Sequence, residues 1–331
     1  MRVVIPMAGY GTRLRPHTWS KPKPLITVAD KPVLGHVLDT FSHFPWIDEV
    51  VFIVGYLGDQ IEAYVSRAYP HLKSRYVEQR EMLGQSHAIW LARETLTGPM
   101  LMVFVDTLIE ADLGRLAEEP SQAVAYVRQV PDPRRFGVAE VGADGWVRRL
   151  VEKPQEMDNN LAVVGLYYFR EAADLLTAIE EQMARGTQLK GEFYLADAIN
   201  VMLERGLKMR VQPVDVWMDC GKPEALLETN RYLLDHGRDN SAEAGRRSDV
   251  VIVPPVFVDP TAEVRYSVIG PHVTIGAGCV VEGSVLRDSI VDAGSNIIDT
   301  TLSASLIGRD ARVAGRARTL NVGDSSEVGF A

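Results

Sequence analysis

At 331 residues, 46% hydrophobic and 24% charged, the chain has an ordinary globular composition and length for two domains, or one large and one small. No apolar run approaches the roughly 20 residues of a membrane span, and a net charge of −9 with a pI near 5.4 argues against nucleic acid as the main partner. Cys220 and Cys279 make neither a disulfide framework nor a metal knuckle, and the N-terminus opens on a strand rather than a signal-type segment, so a reducing cytoplasm is expected.

Val3 to Ile5 reads as a short buried strand, and a loop with glycines at 9 and 11 follows at once. Glycine there lets backbone N–H groups close on an anion without a Cβ in the way. Residues 1–31 carry six Lys/Arg against one acid, Asp30, in a chain that is acidic overall. A polyphosphate is the simplest ligand for such a local positive pole. Two familiar phosphate loops fit poorly. Leu14 stands where the dinucleotide fingerprint needs its third glycine, and no Gly-Lys-Ser/Thr follows to make a Walker A loop.

Leu34 to Phe44 has apolar residues at helical spacing, and Val50 to Val54 is a continuous apolar run typical of a buried parallel strand. Helices over 59–69 and 86–96 alternate with strands over 74–77 and 100–105, the last running to Asp106. Such alternation predicts βαβ units and a mostly parallel sheet covered on both faces. Ligands of such sheets bind at the carboxyl ends of strands, where the glycine loop and Asp106 both fall. From about 122 the texture changes to strands over 123–130, 138–141, 146–151 and 162–169, joined by short polar turns. These read as antiparallel additions around a substrate pocket. Helices over 171–185 and 193–203, strands over 208–214 and 216–218, and a helix from Pro223 to Leu234 complete this part.

Residues 235–249 hold no Val, Ile, Leu or aromatic residue and read as a linker or long surface loop. Beyond them the period becomes six: Val273, Cys279, Val285, Val291 and Ile297 are each six apart, as are Ile269, Ile275 and Val281. The pattern resembles the hexapeptide repeats of a left-handed parallel β-helix, with about four coils of ~18 residues each. Its coil edge and face are natural contacts for oligomerisation.

The run G-x-G-T-R-L-x-P-x-T from Gly9 to Thr18, followed by Pro22-Lys23-Pro24-Leu25, strongly resembles the signature of the sugar-1-phosphate nucleotidylyltransferases. The resemblance covers residues 1 to about 235 with specific motifs and 250–315 with the weaker repeat. It implies an α/β, Rossmann-like nucleotidyltransferase domain over 1–235, a linker over 236–249, and a short left-handed β-helix over 250–331. The reaction it implies is attack by a sugar-1-phosphate oxygen on the α-phosphorus of a nucleoside triphosphate, expelling pyrophosphate. The attacking phosphate is already ionised at neutral pH, so the site needs cations, metal-binding carboxylates and backbone donors more than a strong base.

By that resemblance Arg13 holds the β/γ-phosphates, and Lys23 sits on the α-phosphate and the sugar phosphate. Ala8, Gly9, Gly11 and Thr12 form the cradle, while Arg15 and Lys21 are either site cations or solvated surface charges. Asp106 and Asp219 end strands and match two metal aspartates suited to Mg²⁺ held jointly with phosphate oxygens. Val105 and Lys222 depart from the pattern, which usually has glycine before Asp106 and threonine after Gly221. Glu152 and Lys153, in Glu152-Lys153-Pro154, match a sugar-binding pair, and Gly137 and Gly165 match positions where backbone approaches the sugar. Gln79 and Gly84, with 83–88, resemble the loop that reads the base. His87 is read as structural, and Cys220 as a small buried residue rather than a nucleophile.

The pyrimidine-type glutamine, the length and the tail look most like a long-form glucose-1-phosphate thymidylyltransferase using dTTP or UTP. A mannose-1-phosphate guanylyltransferase shares most of the motifs. A tail with acyltransferase activity is disfavoured, because His272 is its only histidine. A non-catalytic assembly subunit is disfavoured because Arg13, Lys23, Asp106 and Asp219 are all present. A homo-oligomer, assembled through the β-helix, is expected.

Overall fold

The computed structural model describes residues 1–315 and 322. The chain divides into two compact units, Met1–Thr229 and Asn230–Ala331. No helix among the described residues is long and apolar enough to cross a membrane.

The first unit is built on a nine-stranded sheet. Strands β1 (Arg2–Pro6), β4 (Glu49–Val54), β5 (Ser74–Glu78) and β6 (Met100–Val103) are its parallel heart, in the spatial order β6-β1-β4-β5. A small hairpin, β2 (Thr27–Val28) with β3 (Lys31–Pro32), lies between β1 and the first helix, α1 (Val33–Asp39). All six residues of β4 are buried, because helices cover a parallel sheet on both faces. The amphipathic α2 (Gly58–Ala68) follows β4 and turns Ile61 and Val65 inward. The chain leaves β1 toward β4 on one side, while β6 joins it on the other. The strand order therefore reverses between β1 and β6, which is where an open α/β sheet leaves a crevice at its carboxyl edge.

Four strands extend this sheet antiparallel to it or to one another. They are β8 (Ala123–Gln129), β9 (Gly137–Val141), β10 (Val147–Glu152) and β11 (Leu161–Phe169), with β11 antiparallel to β6. On the other edge of β8, β12 (Met209–Pro213) pairs in parallel. Helices α3 (Gln85–Leu91), α4 (Ala172–Arg185) and α5 (Leu195–Glu204) pack over a large core cluster through Ile89, Leu175, Ile179, Leu195 and Ile199. Besides the β2–β3 hairpin, two further strands stand outside the main sheet: β7 (Thr107–Glu110) pairs antiparallel with β13 (Val216–Asp219), and α6 (Pro223–Leu233) follows.

The second unit is a left-handed parallel β-helix of three four-stranded sheets, each strand two or three residues long. Val256, Ile269, Val273, Ile275, Cys279, Val281, Leu286, Val291 and Ile297 fill its interior. Two expectations need correction. Partners on successive coils lie 17 residues apart at first (Val250 opposite Ser267) and 16 later (Val280 opposite Asn296), not 18. Corner residues at positive φ, among them Tyr266, Asp288 and Asp299, tighten the turns and shorten the coil. The strict period of six breaks with them: Val285 is 42% exposed and Leu286 points inward in its place.

The segment expected as a linker over 236–249 is ordered against the first coil. Asn240 bonds Val258 both ways, Nδ2 to its carbonyl and its N–H to Oδ1, each at 2.8 Å. The Val256 N–H donates to Asp239 Oδ1 and Ser241 Oγ, and Ala244 of the short α7 (Ser241–Ala244) enters the β-helix core. An open coil edge leaves backbone groups that need partners. Short polar side chains supply them, so a stretch without large apolar residues still folds.

Candidate functional site

The phosphate-type loop is held from below. Leu14 is fully buried and anchors the single turn Thr12–Leu14, whose preceding residue, Gly11, has φ 62°. The Gly11 carbonyl accepts from Thr18 Oγ1 at 3.0 Å. A Cβ on Gly11 would lie 3.0 Å from Lys23 Cβ, so this glycine brings the loop against the turn Lys23–Leu25 that presents Lys23. Ala8 and Met7 are buried at the end of β1, and Gly9 faces open space. Lys21, left open as a surface charge, is 3% exposed. Arg15 lies over the exposed Trp19 ring at 4.2 Å.

Asp106 follows β6 and Asp219 ends β13. The β7–β13 pair sets Thr107 opposite Asp219, and the Cys220 N–H donates to the Asp106 carbonyl at 2.9 Å. Two carboxylates more than a hundred residues apart in sequence thereby share one end of a ribbon. Lys23 Nζ donates to Asp106 Oδ2 at 2.5 Å. Burial works to raise the Asp106 pKa, but the bonded Lys23 ammonium and the nearby Arg13 charge outweigh it and hold the carboxyl below its usual value. Asp219 Oδ1 accepts from the Gly221 N–H at 2.8 Å, and the Arg13 guanidinium lies against Gly221. These bonds engage one oxygen of each carboxylate. Among the described residues no group of three or more His, Cys, Asp and Glu gathers, so a metal would find two carboxylates here and complete its shell from substrate or water. That donor set fits a hard divalent cation. Cys220 is fully inside, its thiol pushed up to about 12 by burial, as expected of a structural cysteine.

Two cavities meet at this point. One, of about 490 Å³, is walled by Gly9, Gly11, Thr12, Lys23, Val105 and Gly221 among others. The other, of about 430 Å³, is walled by Gly137, Glu152, Lys153, Gly165, Trp217, Asp219 and Lys222 among others. Arg13, Gln85, Phe104 and Asp106 belong to both. Each has the size of a small-ligand site.

In the second cavity Glu152 ends β10, and burial raises its pKa against the partial offset of Lys153, 3.5 Å away. Lys153 Nζ donates to Tyr194 Oη at 3.3 Å and sits 4.8 Å over that ring. A Cβ on Gly137 would lie 3.1 Å from Glu152 Oε2, so the missing side chain keeps that carboxylate's approach open. Gly165 lies where the β11–β8 register shifts, at φ 82°, and its carbonyl accepts the Phe104 N–H at 2.8 Å.

The loop read as base-recognising is bonded to itself. Gln79 is 5% exposed; its Nε2 donates to the Gly84 carbonyl at 3.1 Å and meets His87 Nδ1 at 3.2 Å. With Nε2 turned toward Gly84 and His87, Oε1 is the atom of this amide left open to a ligand. Gln79 and Gly84 line neither of the two cavities. His87 is a partner of Gln79, in keeping with its structural reading. Sequence reasoning did not single out Phe104, Arg135 or Glu192, which line the cavities. The signal for Phe104 was its place at the end of an apolar strand, two residues before Asp106.

Comparison with known proteins agrees with this geometry. A family profile described as nucleotidyl transferase matches residues 2–236. The glucose-1-phosphate thymidylyltransferase of Streptomyces griseus is 31% identical over 99% of both chains. The bifunctional protein GlmU of Methanocaldococcus jannaschii is 32% identical, covering 92% of this chain and 81% of that one. A UDP-glucose pyrophosphorylase solved with UDP-glucose superposes with a TM-score of 0.61 at 22% identity, covering 71% of this chain and 98% of that one, a likeness of fold. Nucleotidyl transferases of this family generally use a divalent metal. The chain belongs to the nucleotidyl transferase family, and within it to the sugar-1-phosphate nucleotidylyltransferases.

Proposed function

We propose that the enzyme joins dTTP or UTP to glucose-1-phosphate, releasing pyrophosphate. The observation that carries the reading is the pair of adjoining cavities with Arg13 and Asp106 in their common wall. A triphosphate in the first and a sugar phosphate in the second would meet there. The full-length similarity to a glucose-1-phosphate thymidylyltransferase supports the choice of substrates.

In this reading Ala8, Gly9, Gly11 and Thr12 cradle the triphosphate and Arg13 takes the charge of the departing pyrophosphate. Lys23 serves the α-phosphate, with Asp106 fixing its ammonium at the junction. Gln79 Oε1 accepts the imide N–H of a pyrimidine, and Gly84 holds the amide that way by accepting from Nε2. Glu152 accepts from neighbouring sugar hydroxyls, Lys153 reaches the sugar phosphate, and Gly137 and Gly165 let the ring approach the backbone. Asp106 and Asp219 would hold Mg²⁺, which when bound neutralises phosphate charge without a proton donor. No general base is required, since the attacking phosphate oxygen is anionic at neutral pH. The residues align and neutralise.

A cytoplasmic homo-oligomer belongs to the same proposal. Two free, buried cysteines support the location. The outward column Val251, Val268 and Val285 on one β-helix sheet supports assembly through that face.

Pyrophosphate release with Mg²⁺, crossing dTTP, UTP, GTP and ATP with glucose-1-phosphate and mannose-1-phosphate, tests the reading. Turnover is expected with dTTP or UTP and glucose-1-phosphate. Turnover confined to GTP and mannose-1-phosphate would overturn the substrates and the role of Gln79.

A further inference from the structure

The cations around the two cavities divide by what already holds them. Lys23 is bonded to Asp106, Lys153 to Tyr194 and beside Glu152, and Arg134 to Asp132 at 2.7 Å. Arg13, Arg135 and Lys222 have no ion pair or hydrogen-bonded side-chain partner among the described residues. Arg13 serves the wall common to both cavities, and Arg135 is an exposed side chain on a polar turn. Lys222 differs from both. It is half-buried, and its backbone is fixed on either side. Before it, the Gly221 N–H is bonded to Asp219 Oδ1 at 2.8 Å. After it, Pro223 opens α6, and the Lys222 carbonyl accepts from the Leu226 N–H at 3.0 Å. A proline at the first helical position arrives with its φ already set, so the backbone of the residue ahead of it is held in place.

The cavity that each residue lines is informative. Gly221 lines the cavity of the glycine loop, whereas Lys222 lines the one that holds Glu152 and Lys153. The chain crosses from one cavity to the other at this peptide. A lysine that lines a cavity with no anion bonded to its ammonium is at its most favourable once a ligand supplies one. A phosphate monoester has three terminal oxygens, enough for a second cation beside Lys153.

We propose that Lys222 binds the 1-phosphate of the sugar substrate, its ammonium donating to a non-bridging oxygen and holding the nucleophile at the junction beside Asp219. The inference rests on the functional reading above and extends it to a residue that sequence reasoning treated only as a departure in loop shape.

The test is steady-state pyrophosphate release by the full-length enzyme and its Lys222→Met and Lys222→Arg variants, with each substrate varied in turn. Removing one charge-assisted hydrogen bond is expected to raise KM for glucose-1-phosphate ~10–100-fold in Lys222→Met while KM for the nucleotide stays within about 2-fold. Lys222→Arg is expected to recover most of the loss. An unchanged KM for the sugar phosphate in Lys222→Met would overturn the proposal. So would equal rises in both KM values, the signature of a distorted helix start, or a rise confined to the nucleotide. A wild-type enzyme inactive with every substrate pair would remove the functional reading and this role with it. An active wild type with an indifferent Lys222→Met removes this role alone.

Discussion

Gly165→Ala puts the site's packing to the test. Gly165 has φ 82°, and an added Cβ would lie 2.6 Å from Phe104 Cδ2 and 3.1 Å from its Cβ and Cγ. The left-handed backbone costs a non-glycine residue about 1–2 kcal/mol. Pushing the Phe104 ring aside adds roughly 1–3 kcal/mol of overpacking, since the ring also meets Tyr167 edge-on at 6.4 Å. Together these predict a loss near 3 kcal/mol, or about 6–12 °C in the melting temperature of a unit this size. Activity is expected to fall further than stability. Phe104 lines both cavities and stands two residues before Asp106, and a displacement of ~1 Å at a reacting centre costs about 100-fold. Scanning calorimetry and pyrophosphate release measure the two effects. Gly98→Ala is the control, because Gly98 shares a positive φ of 65° but has nothing within 4 Å of the added carbon. If Gly165→Ala melted like Gly98→Ala and turned over within about 3-fold of wild type, the claimed contact with Phe104 would be wrong.

Four other outcomes are expected. Lys23→Ala strips Asp106 of its counter-ion and should lower kcat by roughly 10²–10³-fold, the scale of one lost electrostatic contact at a transition state; a loss seen only in KM would contradict this. EDTA should abolish pyrophosphate release and Mg²⁺ restore it, and a chelator-resistant rate would refute the pairing of Asp106 with Asp219 as metal ligands. Glu152→Gln should raise KM for the sugar phosphate ~10-fold or more. Burial raises the Glu152 pKa, so the folded protein holds that proton more tightly than the unfolded chain; stability from this group falls as pH climbs from the ordinary carboxylate range through the raised value, and the variant should melt at or above wild type at pH 8. Glu119, hydrogen-bonded to Arg210, has its pKa lowered to about 2 from 4.5. Its contribution is complete above pH 4.5 and is lost as pH falls toward 2, so Glu119→Gln should cost about 1–3 kcal/mol at pH 7 and close on wild type in acid urea titrations.

The amino-acid sequence by itself determined the local elements and the chemistry they carry. Apolar runs such as 50–54 and 100–105 name buried parallel strands, because a sheet covered on both faces buries consecutive side chains, although the second strand ends at Val103. The glycine–arginine loop and Lys23 were legible as a cluster because they lie close in sequence, whereas the Lys23 partner, Asp106, is 83 residues away. The tertiary structure decided what depends on pairing across long distances. Strand β7 was not read from the sequence, yet its ribbon with β13 is what sets Asp106 beside Asp219. The turn of the Gln79 amide toward Gly84 and His87, the placement of Lys222 in the cavity of Glu152 and Lys153, and the common wall at Phe104 also follow from packing. So does the order in 236–249, where polar side chains close an open coil edge. Corner residues at positive φ likewise broke a six-residue period at Val285. A one-dimensional pattern records which residue types alternate. It does not record which backbone groups are left wanting partners once the chain has folded back on itself, and those unmet groups chose the remaining contacts.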